Sequence, residues 1–176
     1  MILEGKVWIF GENINTDLIL PGRYLRVTDR EELGKHAMEG QDPGFSQKIS
    51  KGDIVIAGRY FGCGSSREQA PVALKYAGIA AVIAESYARI FYRNALNIGL
   101  PVLEIGNTKS VAAEGDRIRI NVETGEIKNV ENGETFQAKP IPDFMLENIR
   151  EGGLIGKIKK QVAQGKLINK QLQNAK

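Results

Sequence analysis

The sequence contains one cysteine, one histidine and one tryptophan in 176 residues. A single cysteine excludes an internal disulfide. It also excludes a self-contained iron–sulfur cluster, which takes about three or four thiolates. His36 has no second histidine with which to hold a metal, and it reads as a helix-face residue. No apolar run approaches the roughly 20 residues of a membrane span. Met1-Ile2-Leu3-Glu4-Gly5-Lys6 shows no basic region followed by a long apolar stretch, so no signal peptide is indicated and a cytoplasmic location is expected. The net charge is small, +3. Its excess lies in the tail, at Lys157, Lys159, Lys160, Lys166, Lys170 and Lys176. With little aromatic interleaving, that tail reads as a solvated helical face rather than a nucleic-acid surface.

What is present is an ordinary globular composition, 42% hydrophobic and 26% charged, enough for one sizeable core. Residues 1–176 read as a single domain with a basic helical tail from about residue 154. Val7 to Phe10 reads as a first strand by its apolar run. Asp29 to Met38 reads as a helix capped by Thr28 or Asp29, with Leu33, Ala37 and Met38 on one face. Asp53 to Ala57 and Ile79 to Ala84 are continuous apolar runs, as buried strands are. A helix of about ten residues separates them, which makes a parallel βαβ unit. Ser86 to Leu96 reads as a further helix, and Leu100 to Ile105 as a third buried strand. Beyond Gly106 the pattern changes. Asp116 to Val122 alternates, Thr124-Gly125 turns, and Glu126 to Val130 returns, a hairpin signal. Thr135 to Ala138, a helix over 142–150 and a terminal helix over 154–172 complete the reading. The fold class is α/β, with a parallel βαβ core and added antiparallel strands.

One stretch organises the rest: Gly58-Arg59-Tyr60-Phe61-Gly62-Cys63-Gly64-Ser65-Ser66-Arg67-Glu68-Gln69-Ala70-Pro71. It joins the strand at 53–57 to the next helix. Ser65 and Glu68 have the spacing of a capping box. A glycine-rich turn into a helix start gathers unpaired N–H groups and attracts anions. Two hydroxyls and Arg67 sit there too, and a guanidinium holds a carboxylate by two parallel hydrogen bonds. The run lacks the spacing of a phosphate-binding P-loop and of the dinucleotide fingerprint. As a plain strand-to-helix turn, Ser65 would be only a cap, and Asp17 only the partner of an Asx-type turn.

At these residues the chain resembles the small, swivelling domain of the aconitase superfamily. The resemblance is carried by Gly62 to Glu68, by Ser86-Tyr87-Ala88-Arg89-Ile90-Phe91 with Asn94, by Asn13 to Pro21, and by Asn97 to Pro101. Within that superfamily it is similar to the free-standing small subunits of 3-isopropylmalate dehydratase and homoaconitase. The resemblance implies a swivelling β/β/α fold and a hydro-lyase that moves a hydroxyl between adjacent carbons of a malate-like acid, in leucine biosynthesis for the isopropylmalate enzyme. It implies a large-subunit partner that carries a 4Fe–4S cluster, with no cofactor or metal held by this chain. It implies Ser65 as base, Arg67 as carboxylate clamp and Asp17 as an orienting acid. Ser66 and Gly64 would support substrate binding, with Arg26, and after it Arg23, reaching the variable arm of a di- or tricarboxylic acid. Arg26 tilts toward a tricarboxylic acid; the isopropylmalate role stands first. A non-catalytic anion-binding module built on the same turn is the rival from another class. Cys63 reads as a small residue of the turn rather than a cluster ligand.

Overall fold

A computed structural model of the chain describes residues 1–163. The expected tail helix is seen as far as Ala163, and its continuation to residue 172 lies outside the described residues. A mixed seven-stranded sheet forms the frame, in the order β4-β3-β2-β1-β5-β6-β7. In chain order its strands are β1 (Ile2–Ile9), β2 (Ile54–Ala57), β3 (Ala81–Ala84), β4 (Val102–Glu104), β5 (Arg117–Asn121), β6 (Glu126–Asn129) and β7 (Thr135–Gln137). The helices are α1 (Thr16–Ile19), α2 (Arg30–Gly34), α3 (Phe45–Lys48), α4 (Gln69–Ala77), α5 (Arg89–Asn97), α6 (Asp143–Arg150) and α7 (Leu154–Ala163), with a 3-10 turn at Gly22–Tyr24.

β1 is the seam between two kinds of sheet. Its second half runs parallel to β2, with Val7 opposite Ile54 and Ile9 opposite Ile56. Its first half runs antiparallel to β5, with Ile2 opposite Asn121 and Lys6 opposite Arg117. The strand therefore begins at Ile2, five residues before the apolar run at Val7 predicts. Residues 2–6 alternate in burial and include Gly5, so apolar content alone does not reveal them. Gly5 has a structural reason: a Cβ there would lie 2.0 Å from the carbonyl oxygen of Gly52. The turn that leads into β2 crosses β1 at that point.

The parallel half follows the expected βαβ plan. All four residues of β2 and all four of β3 are buried, because helices cover them, and such strands read as unbroken apolar runs. α4 connects them and buries Ala70, Pro71, Ala73 and Leu74. Pro71 sits in its first turn, where the missing N–H has no intrahelical acceptor to lose. β5 and β6 pair antiparallel and alternate exposed with buried. The hairpin at Thr124-Gly125 is thus present, and β7 adds to β6.

Phe45, Phe61 and Phe91 are the largest fully buried side chains. Trp8 and Phe10 meet Phe45 edge-on, at 5.5 and 5.3 Å between ring centres. Buried Asp53 accepts from Trp8 Nε1 at 2.8 Å and from the Ser50 amide at 2.9 Å, so its polar oxygen is satisfied.

One helix is shorter than its periodicity predicts. Asp29 caps α2, accepting from the Glu32 amide at 3.0 Å, yet the helix stops at Gly34 rather than Met38. Gly34 lies against the backbone of Tyr76, where a Cβ would sit 2.6 Å from a carbonyl carbon. The chain continues in turns, and Met38 takes a left-handed φ of 58°. Leu33, Ala37 and Met38 are nevertheless all buried. Among the described residues no helix is long and apolar enough to cross a membrane.

The crossing at Gly5 yields a test. Gly5→Ala forces backbone apart rather than a flexible side chain, and overpacking of this kind costs about 1–3 kcal/mol. Urea unfolding should show a lower midpoint with an unchanged slope; an unaltered midpoint would mean that the turn at residue 52 yields freely.

Candidate active site at the serine turn

β2 ends at Ala57, and the eleven positions that follow are held from two sides before α4 begins. On one side lies the approach to α5. The Phe61 amide donates to the Ser86 carbonyl at 2.9 Å, and the Ala88 amide to the Phe61 carbonyl at 3.0 Å. Gly62 has a φ of 74°, and a Cβ there would lie 2.1 Å from the Phe91 ring. Glycine is needed at this position both for its backbone angle and for the ring packed against it.

On the other side lies the segment before α1. The Gly62 amide donates to the Ile14 carbonyl, and the Thr16 amide to the Cys63 carbonyl, each at 2.8 Å. Asn15 caps α1, its side chain accepting from the Leu18 amide at 2.9 Å. Thr16 is almost wholly buried. Its Oγ1 accepts from the Ser65 amide at 3.3 Å and lies 3.2 Å from Ser65 Oγ. Both the main chain and the hydroxyl of Ser65 therefore rest on Thr16.

This arrangement corrects the capping-box expectation. α4 begins at Gln69, and its N-cap is Glu68, in helical conformation and without a side-chain cap bond. Ser65 lies too far back to cap it, and its amide and hydroxyl are committed to Thr16 instead. Gly64, with φ 94°, and Ser66 are exposed beside it.

Arg67 is mostly covered, with 16% of its side chain exposed, against 64% for Asp17. The two form an ion pair through Arg67 Nη1 and Asp17 Oδ1. The same Nη1 donates to the Leu20 carbonyl at 3.2 Å. Both partners use one nitrogen. The Nε–Nη2 edge, the edge that grips a carboxylate in parallel, has no acceptor among the described residues. Ser65, Ser66, Arg67, Glu68, Gln69 and Leu25 line an open cavity of about 500 Å³.

The loop after α1 forms the far wall. A side chain at Gly22 would lie 3.6 Å from Arg67 Nη2 and 3.7 Å from Asp17 Oδ1. Leu25 reaches the cavity wall, and its carbonyl accepts from Gln69 Nε2 at 3.4 Å. Arg26 is exposed, and among the described residues no carboxylate pairs with it. Arg23 is placed differently: it pairs with Glu39 and lies over the Tyr24 ring at 4.9 Å. The structure thus brings together Ser65, Ser66, Arg67 and Asp17, sets Arg26 next to the wall residue Leu25, and turns Arg23 toward another carboxylate. Cys63 is half-buried in the turn. Among the described residues no three His, Cys, Asp or Glu side chains converge as metal ligands.

Over residues 13–108 the sequence matches the aconitase C-terminal domain. The chain belongs to that family. The match takes in α1, the serine turn, the βαβ unit and α5, so it covers every residue of the site just described. Over 91% of this chain and 94% of the relative, it is 50% identical to 3-isopropylmalate dehydratase small subunit 1 of Methanopyrus kandleri. It is 52% identical to the methanogen homoaconitase small subunit of Methanothermobacter thermautotrophicus, over 93% of this chain and 95% of that one. A crystal structure of 3-isopropylmalate dehydratase from Methanocaldococcus jannaschii superposes with a TM-score of 0.88 at 44% identity, covering 94% of this chain and 99% of that one. The aconitase-family fold expected from the motifs is therefore the fold observed.

Sequence reasoning assigned no role to Thr16, Leu25 or Gln69. Thr16 lies within the Asn13–Pro21 segment, and a hydroxyl between Asn15 and Asp17 is the available signal. Leu25 and Gln69 carry none, since only the tertiary fold sets them on the cavity. Thr16→Val keeps shape and removes both bonds to Ser65, so stability should fall by about 1–2 kcal/mol. Thermal unfolding measures this; an unchanged midpoint would show that the hydroxyl does not hold the turn.

Proposed function

We propose that this chain is the small subunit of a cytoplasmic hydro-lyase, with 3-isopropylmalate as the leading substrate, isomerised by dehydration and rehydration. The observation that carries the proposal is that Arg67, whose hydrogen bonds among the described residues all use Nη1, lines the same cavity as Ser65. Names of relatives support the same reading.

The chemistry asks for a base for the proton alpha to a carboxylate, and for fixed donors where negative charge then builds. Ser65 Oγ is the base. Thr16 Oγ1 already accepts the Ser65 amide, which leaves its own proton free to donate to Ser65 Oγ and lower the cost of an alkoxide there. Arg67 holds the carboxylate on its free edge, while Asp17 and the Leu20 carbonyl keep the guanidinium turned. Such a fork gives orientation as well as charge. Ser66 and the exposed Gly64 backbone add contacts at the cavity mouth.

A large-subunit partner carries the 4Fe–4S cluster in this proposal, and when bound that cluster supplies the Lewis acid for the leaving hydroxyl. Half of the site is missing from this chain, so alone it is inactive. Leu25 offers apolar wall to an isopropyl arm. A second reading rests on Arg26: an exposed guanidinium next to that wall suits the extra carboxylate of a homocitrate-type acid, and one relative is named a homoaconitase subunit.

Mixing the purified chain with a cluster-loaded large subunit should restore hydratase activity on isopropylmalate. Ser65→Ala should reduce turnover by about 100-fold or more with assembly intact, as loss of a general base does; full activity in that variant would remove the serine mechanism. Arg26→Val should shift preference from tricarboxylic toward apolar-arm substrates by about tenfold, read as the ratio of kcat/KM values. An unaltered ratio would eliminate the Arg26 reading.

A further inference from the structure

The arm carrying Leu25 and Arg26 is held by one carboxylate outside the cavity. Glu39 has 17% of its side chain exposed. Its Oε1 accepts from Tyr24 O–H at 2.9 Å and from Arg23 Nη2, and its Oε2 lies 2.6 Å from His36 Nδ1. Burial pushes the Glu39 carboxyl up, but its His36, Tyr24 and Arg23 partners outweigh burial and hold it below the usual carboxylate value. The Tyr24 ring stacks on His36 at 3.7 Å between centres, with 12° between planes. Two of the three partners, Arg23 and Tyr24, are the residues immediately before Leu25.

Glu39 itself is anchored on α1. The amide of Met38, which precedes it, donates to the Ile19 carbonyl at 2.7 Å. At Gly40, which follows it, a Cβ would lie 2.4 Å from the Asp17 carbonyl oxygen. The same short helix carries Thr16, which holds Ser65, and Asp17, which holds Arg67. The catalytic side and the arm side of the cavity are thus referenced to one piece of backbone.

We propose that Glu39 is a positioning residue: by clamping Arg23, Tyr24 and His36 to α1, it sets where Leu25 and Arg26 stand over the cavity and so which substrate arm is accepted. This inference rests on reading the cavity as the substrate site. It also gives Arg23 a part other than contact with substrate, since its guanidinium is one of the clamped groups. Tyr24 acts through two contacts, its ring on His36 and its hydroxyl on Glu39. The backbone of the arm has few other ties: the Tyr24 amide to Pro21, the Leu25 amide to Gly22 and the Val27 amide to Tyr24 within the arm, and, among the described residues, one long bond out of it, from Gln69 Nε2 to the Leu25 carbonyl at 3.4 Å. Losing the clamp leaves nothing of comparable strength between residues 22–26 and α1.

The test uses Glu39→Ala, Glu39→Gln and Tyr24→Phe with two measurements. Amide hydrogen exchange on the chain should rise about tenfold over residues 22–28 in Glu39→Ala, as loss of charge-assisted bonds to a surface loop permits. Exchange in β2 and β3 should not change. Glu39→Gln and Tyr24→Phe, which each keep part of the network, should fall between wild type and Glu39→Ala. In the complex with the large subunit, KM for isopropylmalate, citramalate and homoaconitate should rise unequally, with kcat held within about twofold. Should Glu39→Ala not fold, the two milder variants decide the matter by the same readings. Unchanged exchange over 22–28, or equal loss of kcat for every acid with KM constant, overturns the inference. If the wild-type complex turns over none of these acids, it is the enzymatic reading itself that fails.

Discussion

The docking of α1 onto the turn after β2 is the constraint on which the site depends. α1 is only four residues long, too short to be stable by itself. It exists because Asn15 caps it, Ile19 is buried and the Cys63 carbonyl receives the Thr16 amide. In return Thr16 supports Ser65, and Asp17 and the Leu20 carbonyl turn Arg67. Neither the serine nor the arginine is placed by its own neighbours in sequence. Each is placed by a segment some fifty positions earlier.

That segment is in turn positioned by the sheet. β1 runs parallel to β2, so the chain leaving the end of β1 and the chain leaving the end of β2 emerge on the same side. Residues 11–20 and 58–68 are therefore neighbours by topology. In parallel α/β sheets ligand sites gather at the carboxyl ends of the strands, and the candidate site at the serine turn lies at such an end. The antiparallel β5–β7 extension lies across β1 from this end of the sheet and adds no residue to the cavity lining.

Much of the frame was legible from residue patterns. β2 and β3 declared themselves as unbroken apolar runs, because both faces are covered. β5 and β6 declared themselves by alternation, because one face meets solvent. Where several requirements compete at one position, the pattern misled. α2 stops at Gly34 because that glycine lies against the Tyr76 backbone, although the apolar spacing continues to Met38. Ser65 and Glu68 fit a capping box, but Thr16 takes the serine. The start of β1 escaped notice because Gly5 is dictated by the crossing at Gly52 rather than by strand propensity.

The amino-acid sequence by itself determined the family, the βαβ core, the hairpin and the identity of the serine turn with its arginine. These follow from local periodicity, turn chemistry and ordered motifs, all written in contiguous residues. Only the tertiary structure decided that Thr16 carries Ser65, that Arg67 keeps one edge open, that Leu25 stands at the wall, and that Arg23 turns to Glu39. Those are pairings between distant segments, set by burial and by the geometry of the sheet, and no local pattern encodes which hydroxyl or carboxylate a side chain will meet.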